Sequence, residues 1–406
     1  MKPFSDRAQR MRPSAIRQMT RLAAQAGHDL IALAGGMPNP ATFPLQRLAE
    51  IAADEIKKNA GRNLQYGSTA GPRALLEWIS AYSDTKGIRA PIENIVCTHG
   101  SQQAIDLITE ILIDPGDCIF VENPTYLGAL MVFFKTGAEI IAVHQDQSGI
   151  VLEDLERALQ QAPKNRTKLI YLISNYQNPT GISLSANRRL ALPEILERYD
   201  AYLIEDDPYG AIYFGGDINV PPAPIKASGS DRIFYLSTAS KLVAPTFRTG
   251  WVIAGKELAR KLELAKEAAD LCGSLLDQRI VHRYCSSEEF PDHVRNLRSF
   301  YETRFLAMDE ALSTEMPEGV RWTRPSGGFF IWVTLPDGLD AEELLEESIL
   351  KEKVSYVIGR PFTINASARN CLRLAFSVED PERIREGIAR LAGLIRRFEL
   401  RRHVQS

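Results

Sequence analysis

Between residues 94 and 255 the chain carries seven short runs of nearly unbroken apolar residues, and these limit the fold more than any other feature. They are NIVCT (94–98), DCIFVE (117–122), EIIAVH (139–144), KLIYLIS (168–174), AYLIED (201–206), RIFYLS (232–237) and GWVIAG (250–255). A strand with one wet face alternates apolar and polar residues. A strand buried on both faces does not, and such strands belong to parallel-rich sheets covered by helices on each side. Segments of helical periodicity, such as SQQAIDLITEIL (101–112) and LSANRRLALPEILERY (184–199), fall between the runs. The expectation is an α/β architecture: a large domain with a mostly parallel, seven-stranded sheet sandwiched by helices. Beyond about residue 285 the pattern changes. GGFFIWVTLP (327–336) and CLRLAFS (371–377) read as strands, and DAEELLEESILKE (340–352) and PERIREGIARLAGLIRRFEL (381–400) as amphipathic helices. The expected division is an N-terminal arm over 1–45 that packs with the small domain, a large domain over 46–284, and a small α+β domain over 285–406.

Composition removes several classes of partner. With 45% hydrophobic residues in a chain of 406, a large core can form, and a net charge of −3 gives no footprint for nucleic acid. No apolar run approaches the length of a membrane span. The basic start MKPFSDRAQRMRPSAIRQM lacks an apolar stretch, so it does not read as a signal peptide. The five cysteines form no CxxC pair, which indicates neither a zinc nor a redox motif and fits a reducing cytoplasm.

Open α/β sheets bind ligands at the carboxyl ends of their strands, and here those ends are chemically crowded. Five of the runs are followed by HGSQQ, NPTY, NYQNPTG, DDPYG and TASK. Together they present a helix N-terminus, an aromatic ring, an amide, a carboxylate with a tyrosine, and a lysine. Each has a plain reading alone: a solvated lysine, an Asn-Pro turn, a helix cap. As a set they describe a site for an anionic aromatic ligand, and pyridoxal phosphate (PLP) requires this set. Its aldehyde needs a lysine amine, its ring nitrogen a carboxylate, and its phosphate a helix N-terminus with an arginine. Lys241 supplies the amine and Asp206 the carboxylate, with Asp207 the better candidate for a turn cap. Asn178 and Tyr209 can reach the ring oxygen, and Tyr126 can stack on the ring. Ser101, Gln102, Thr238, Ser240 and Arg248 surround the phosphate.

NPTG (178–181), EDDPYGAIYF (205–214) and STASKLVAPTFRTGW (237–251) resemble the signatures of fold-type-I, class I/II aminotransferases. The resemblance is nearest to the 2-aminoadipate and kynurenine/aminoadipate branch. It extends through PSAIRQM (13–19), LAGGMPNPATFP (33–44), LQYGSTAG (64–71), THGSQQAIDL (98–107), ENPTY (122–126), RPSGGFFIWV (324–333) and LRLAFS (372–377). It implies the same roles for the residues above, with Lys241 also the acid–base group. It adds Tyr66 as a phosphate contact across a homodimer, and Gly36 and Arg373 as receptors of the substrate α-carboxylate. Arg373 by itself would read as an outward charge on an alternating strand. Ser14 and Arg17 would lie on a helix that closes over the site, where Arg17 could pair with a distal carboxylate. Two positions depart from the branch: Thr238, where serine is frequent, and Ile358, where proline is common.

The resemblance implies transfer of an α-amino group from 2-aminoadipate, aromatic or branched-chain donors to 2-oxoglutarate by a ping-pong route. A β-eliminating carbon–sulfur lyase on the same scaffold is the alternative. A non-catalytic regulator would need a DNA-binding module, and only about 30 residues precede LAGGMPNP. A nicotinamide dehydrogenase would need GxGxxG after a strand, which is not present.

Overall fold

The computed structural model describes residues 3–11 and 29–405. In chain order the strands are Ile31–Ala32 (β1), Ile95–His99 (β2), Cys118–Asn123 (β3), Glu139–Asp146 (β4), Gly149–Ile150 (β5), Lys168–Ile173 (β6), Ala201–Asp206 (β7), Ile233–Thr238 (β8), Thr249–Ile253 (β9), Arg321–Trp322 (β10), Phe330–Thr334 (β11), Val354–Ser355 (β12), Val357–Ile358 (β13) and Cys371–Ala375 (β14). The large sheet has the order β2-β9-β8-β7-β6-β3-β4-β5. Pairs β4/β3, β3/β6, β6/β7 and β7/β8 are parallel, while β9 runs antiparallel between β8 and β2.

All seven apolar runs are strands of this sheet, and the reason is visible in β6. Leu169, Tyr171 and Ile173 join one apolar cluster with Ile108 and Phe133, whereas Ile170 and Leu172 join another with Leu155 and Leu196. Those partners lie on helices 100–112 and 127–136 on one face and 152–161 and 186–199 on the other. Side chains alternate across a strand, so both faces need an apolar residue. Two differences from expectation sit at one edge. An eighth strand, β5, is the two-residue return of a hairpin with β4, too short to show as an apolar run. Strand β4 itself is half-exposed, lying between β3 and the two-residue β5 at the sheet edge.

The C-terminal part forms a four-stranded antiparallel sheet, β10-β11-β14-β13, covered by the long helices 290–315 and 381–405. The chain before the large sheet returns to it. β1 pairs in parallel with β12, Ala375 N–H donates to Leu33 O at 2.7 Å, and Asn39 N–H donates to Tyr301 Oη at 3.1 Å. Because β3, β6, β7 and β8 are parallel, their carboxyl ends share one edge. The antiparallel β9 leaves β2 pointing the same way, so five strand ends meet there.

Candidate active site

A cavity with about 630 Å³ of empty space, part of it open to solvent, lies at these ends. Its wall includes Ser101, Gln102, Tyr126, Asn178, Asp206, Tyr209, Thr238, Ser240, Lys241 and Arg248, together with Gly100, Ile173, Pro208 and Pro245. The topology thus brings together every residue assigned from the five strand ends.

Asp206 closes β7 and is 2% exposed. Its Oδ2 accepts from Tyr171 Oη at 3.0 Å, while its Oδ1 has no hydrogen-bond partner. Burial is the main reason its carboxyl is pushed up to about 7, with the nearby Tyr171 and Ser101 hydroxyls opposing and the neighbouring Asp207 charge adding. A buried carboxylate oxygen without a donor is costly. A ligand N–H carrying positive charge would remove the cost, and the protonated ring nitrogen of PLP is such a group.

Lys241 ends a short turn, Ala239–Lys241, that Thr238 caps by accepting from Ser240 N–H at 3.1 Å. Its Nζ lies 3.5 Å from Gly36 O and 5.7 Å from the ring centroids of Tyr209 and Phe329. Burial, with the charges of Arg248 and Arg373, lowers its ammonium pKa to about 8. The neutral amine is the nucleophile, so a lowered value makes it available at lower pH. The cofactor-free protein should therefore capture PLP at a rate that rises with pH and levels off above about 8. An ordinary lysine would keep gaining reactivity to about 10.4. Stopped-flow absorbance across pH 6–10 would tell these apart.

The opposite end of the cavity suits an anion. Helix 100–112 starts at Gly100 with φ +73°, and no side chain caps its first N–H groups from His99. A Cβ at Gly100 would sit 2.9 Å from Arg248 Nη2, and the positive φ there favours glycine. Arg248 has φ +46° and donates from Nη2 to His99 O at 2.9 Å. Thr238 Oγ1 and Ser240 Oγ lie 2.9 Å apart beside it. Helix N–H groups, an arginine and two hydroxyls are the kinds of group that bind a phosphate.

Arg373 is 4% exposed, not outward as its strand pattern alone would place it. It donates to Asn178 Oδ1 and Ala34 O, both at 2.8 Å, and stacks over the Phe330 ring at 4.3 Å. Its Nε is buried without a partner, and burial lowers its pKa to about 10. A buried guanidinium with an unused N–H asks for an anion. Gly36 lies beside it, where a Cβ would meet Phe330 Cζ at 2.5 Å.

Tyr66 is not part of this cavity. It is 79% exposed, in an open cleft with Asp270, Ser274 and Leu275. Ser14 and Arg17 lie outside the described residues. Asp207 caps a turn by accepting from Gly210 N–H at 2.9 Å. Sequence reasoning missed Tyr171 and Phe330. A tyrosine inside a strand buried on both faces needs a partner for its hydroxyl, which was the available signal for Tyr171.

The family model for aminotransferase class I and II matches residues 29–391. The chain is 41% identical over 404 residues to aromatic-amino-acid aminotransferase 1 of Thermococcus litoralis, covering 97% of this chain and 94% of the relative. It is 36% identical to 2-aminoadipate transaminase of Thermus thermophilus, covering 96% and 95%. The structure of Pyrococcus horikoshii kynurenine aminotransferase in complex with PMP superposes with a TM-score of 0.91 at 40% identity, covering 98% of this chain and 97% of that one. The carbon–sulfur lyase weighed from the sequence gains no support from these relatives. The strand-end geometry and a family match from residue 29 to 391 lead to the same place: the chain belongs to the class I and II aminotransferases, enzymes that work with pyridoxal phosphate.

Proposed function

We propose that this aminotransferase carries the α-amino group of 2-aminoadipate, aromatic or branched-chain amino acids to 2-oxoglutarate in a ping-pong cycle. The observation that carries the reading is Arg373, a buried cation with an unused N–H next to the cavity that holds Lys241 and Asp206. An α-carboxylate is common to every donor and acceptor, so a receptor for it favours the shared backbone over one side chain. The substrates named for the relatives, aromatic amino acids, 2-aminoadipate and kynurenine, span acidic and aromatic chemistry.

When bound, PLP supplies an electron sink for the carbanion left at the substrate Cα. The rest falls to this chain's residues. Asp206 holds a proton on the ring nitrogen, and Asn178 and Tyr209 donate to the ring oxygen. Tyr126 covers the ring, and the cup of Ser101, Gln102, Thr238, Ser240 and Arg248 holds the phosphate. Lys241 Nζ takes the proton from the donor Cα. Gly36 leaves room for the carboxylate that Arg373 binds.

Arg17 is proposed to pair with the distal carboxylate of acidic donors, beside Ser14, which is motivated by the resemblance of PSAIRQM to the aminoadipate branch. A donor screen with 2-oxoglutarate, read as glutamate formed, tests both readings. Acidic and apolar donors should both react, and Arg17→Ala should raise KM for 2-aminoadipate while sparing leucine. No glutamate from any donor would remove the substrate assignment, and equal losses for both classes would remove the role of Arg17.

A homodimer with shared sites is proposed from the exposure of Tyr66 and the resemblance of LQYG. A hydrogen bond to a charged phosphate is worth about 1.5–3 kcal/mol. Tyr66→Phe should weaken PLP retention roughly ten- to hundred-fold without unfolding the chain. An active monomer in sedimentation would contradict the reading. Division near residues 45 and 284 is supported by the return of residues 31–39 to the C-terminal part. A cytoplasmic location is supported by five unpaired cysteines, and no described helix is long and apolar enough to cross a membrane.

A further inference from the structure

On the far side of β7 from the cofactor cavity, a second carboxylate is saturated by four donors. Asp207 Oδ1 accepts from Asn175 Nδ2 at 2.8 Å and from Gly210 N–H at 2.9 Å. Its Oδ2 accepts from Tyr235 Oη at 2.7 Å and from Lys86 Nζ at 3.3 Å. Asp207 is 3% exposed, and the Lys86 side chain is 20% exposed. Lys86 Nζ also donates to Tyr235 Oη at 3.0 Å and lies 5.0 Å from the Tyr82 ring centroid. Arg189, which donates to Asn175 Oδ1 at 2.7 Å, is the next cation; it makes no hydrogen bond to the carboxylate, but its charge also favours the ionised form.

The two donors on Oδ1 belong to two different strand-end loops. Asn175 stands three residues before Asn178 on the loop after β6, and Gly210 directly follows Tyr209 on the loop after β7. One carboxylate therefore ties together the loops that bring Asn178 and Tyr209 to the cavity. The fit leaves no slack: a Cβ at Gly210 would come 2.4 Å from Asp207 Oδ1 and 2.8 Å from Asn175 Nδ2. A fully buried carboxylate keeps this geometry only while ionised, because protonation turns one acceptor oxygen into a donor. Lys86 is the cation in direct contact with it. Despite burial, the Lys86 charge and the hydrogen bonds hold the Asp207 carboxyl below its ordinary range.

We infer that Lys86 is a positioning residue for the transamination site: it keeps Asp207 charged and so fixes the two loops that set Asn178 and Tyr209 around the cofactor ring oxygen. This rests on the roles proposed for Asn178 and Tyr209, and the test separates the two.

The readout is the pH midpoint of the absorbance change of bound PLP in the intact holoenzyme. Donors to the ring oxygen favour its ionised form, so displacing them moves the midpoint up. Lys86→Met, near-isosteric and uncharged, should raise the midpoint by at least ~0.5 unit and lower kcat/KM by about tenfold or more for all donors. Lys86→Arg, which keeps the charge, should recover at least half of the shift. Asp207→Asn, whose amide likewise replaces one acceptor with a donor, should raise the midpoint by a similar amount, and adding Lys86→Met to it should move the midpoint little further; Asp207→Asn is read in place of Lys86→Met should that variant fail to fold. Tyr209→Phe is the control. If it leaves the midpoint unmoved, the assignment of the ring-oxygen donors fails. If it raises the midpoint while Lys86→Met lowers only thermal stability, the bracing role of Lys86 is overturned and the site reading stands. A midpoint unmoved in Asp207→Asn, or a Lys86→Met shift that adds in full to that of Asp207→Asn, also overturns it, because Lys86 would then not act through Asp207.

Discussion

Lys241→Ala should lower turnover by roughly 10⁴-fold with every donor, the upper end of what one positioned acid–base group contributes. The upper end is expected because the same amine is proposed both to capture the cofactor and to take the Cα proton. The cofactor should nevertheless stay bound without the covalent link, because the anion cup at Gly100–Gln102 and Arg248, and the unpaired oxygen of Asp206, do not involve Lys241. Steady-state rates and cofactor content after gel filtration measure the two effects separately. Rates within tenfold of wild type would show that another group moves the proton.

Arg373→Ala is the second large effect. Truncating one member of a buried, hydrogen-bonded charge pair costs about 2–5 kcal/mol. The loss in kcat/KM should therefore be tens- to thousands-fold, and it should be of similar size for 2-aminoadipate, phenylalanine and leucine. Part of the loss comes from Asn178 Oδ1 and Ala34 O, which lose their donor. Arg373→Lys should recover little, since a point cation cannot serve the amide, the carbonyl and a carboxylate at once. A defect confined to acidic donors would mean that Arg373 reads the side chain and not the α-carboxylate.

Much of this was legible in the sequence for a physical reason. A strand buried on both faces cannot alternate, so seven continuous runs marked seven of the eight strands of the large sheet. Parallel strands gather their carboxyl ends on one edge, so the residues after each run were bound to meet. What stayed hidden depends on neighbours remote in sequence. The exposure of β4 follows from its place next to the two-residue β5 at the sheet edge. The burial of Arg373 follows from residues 34–36 folding back over β14, across 339 positions of chain. Tyr171 reads as an ordinary strand residue until β6 is laid beside β7, which puts its hydroxyl on Asp206. Lys86 gives no sequence signal, since its contact with Asp207 joins the end of one helical segment to a strand end 121 residues away.

Everything proposed for this site depends on one bond, between the cofactor and Lys241. The direct measurement is absorbance of the purified holoenzyme, followed by borohydride reduction, proteolysis and mass mapping of the modified peptide. The prediction is a PLP absorbance band that reduction abolishes, with the phosphopyridoxyl label on Lys241. A protein that binds no PLP, or one in which the label falls on another lysine, would contradict it.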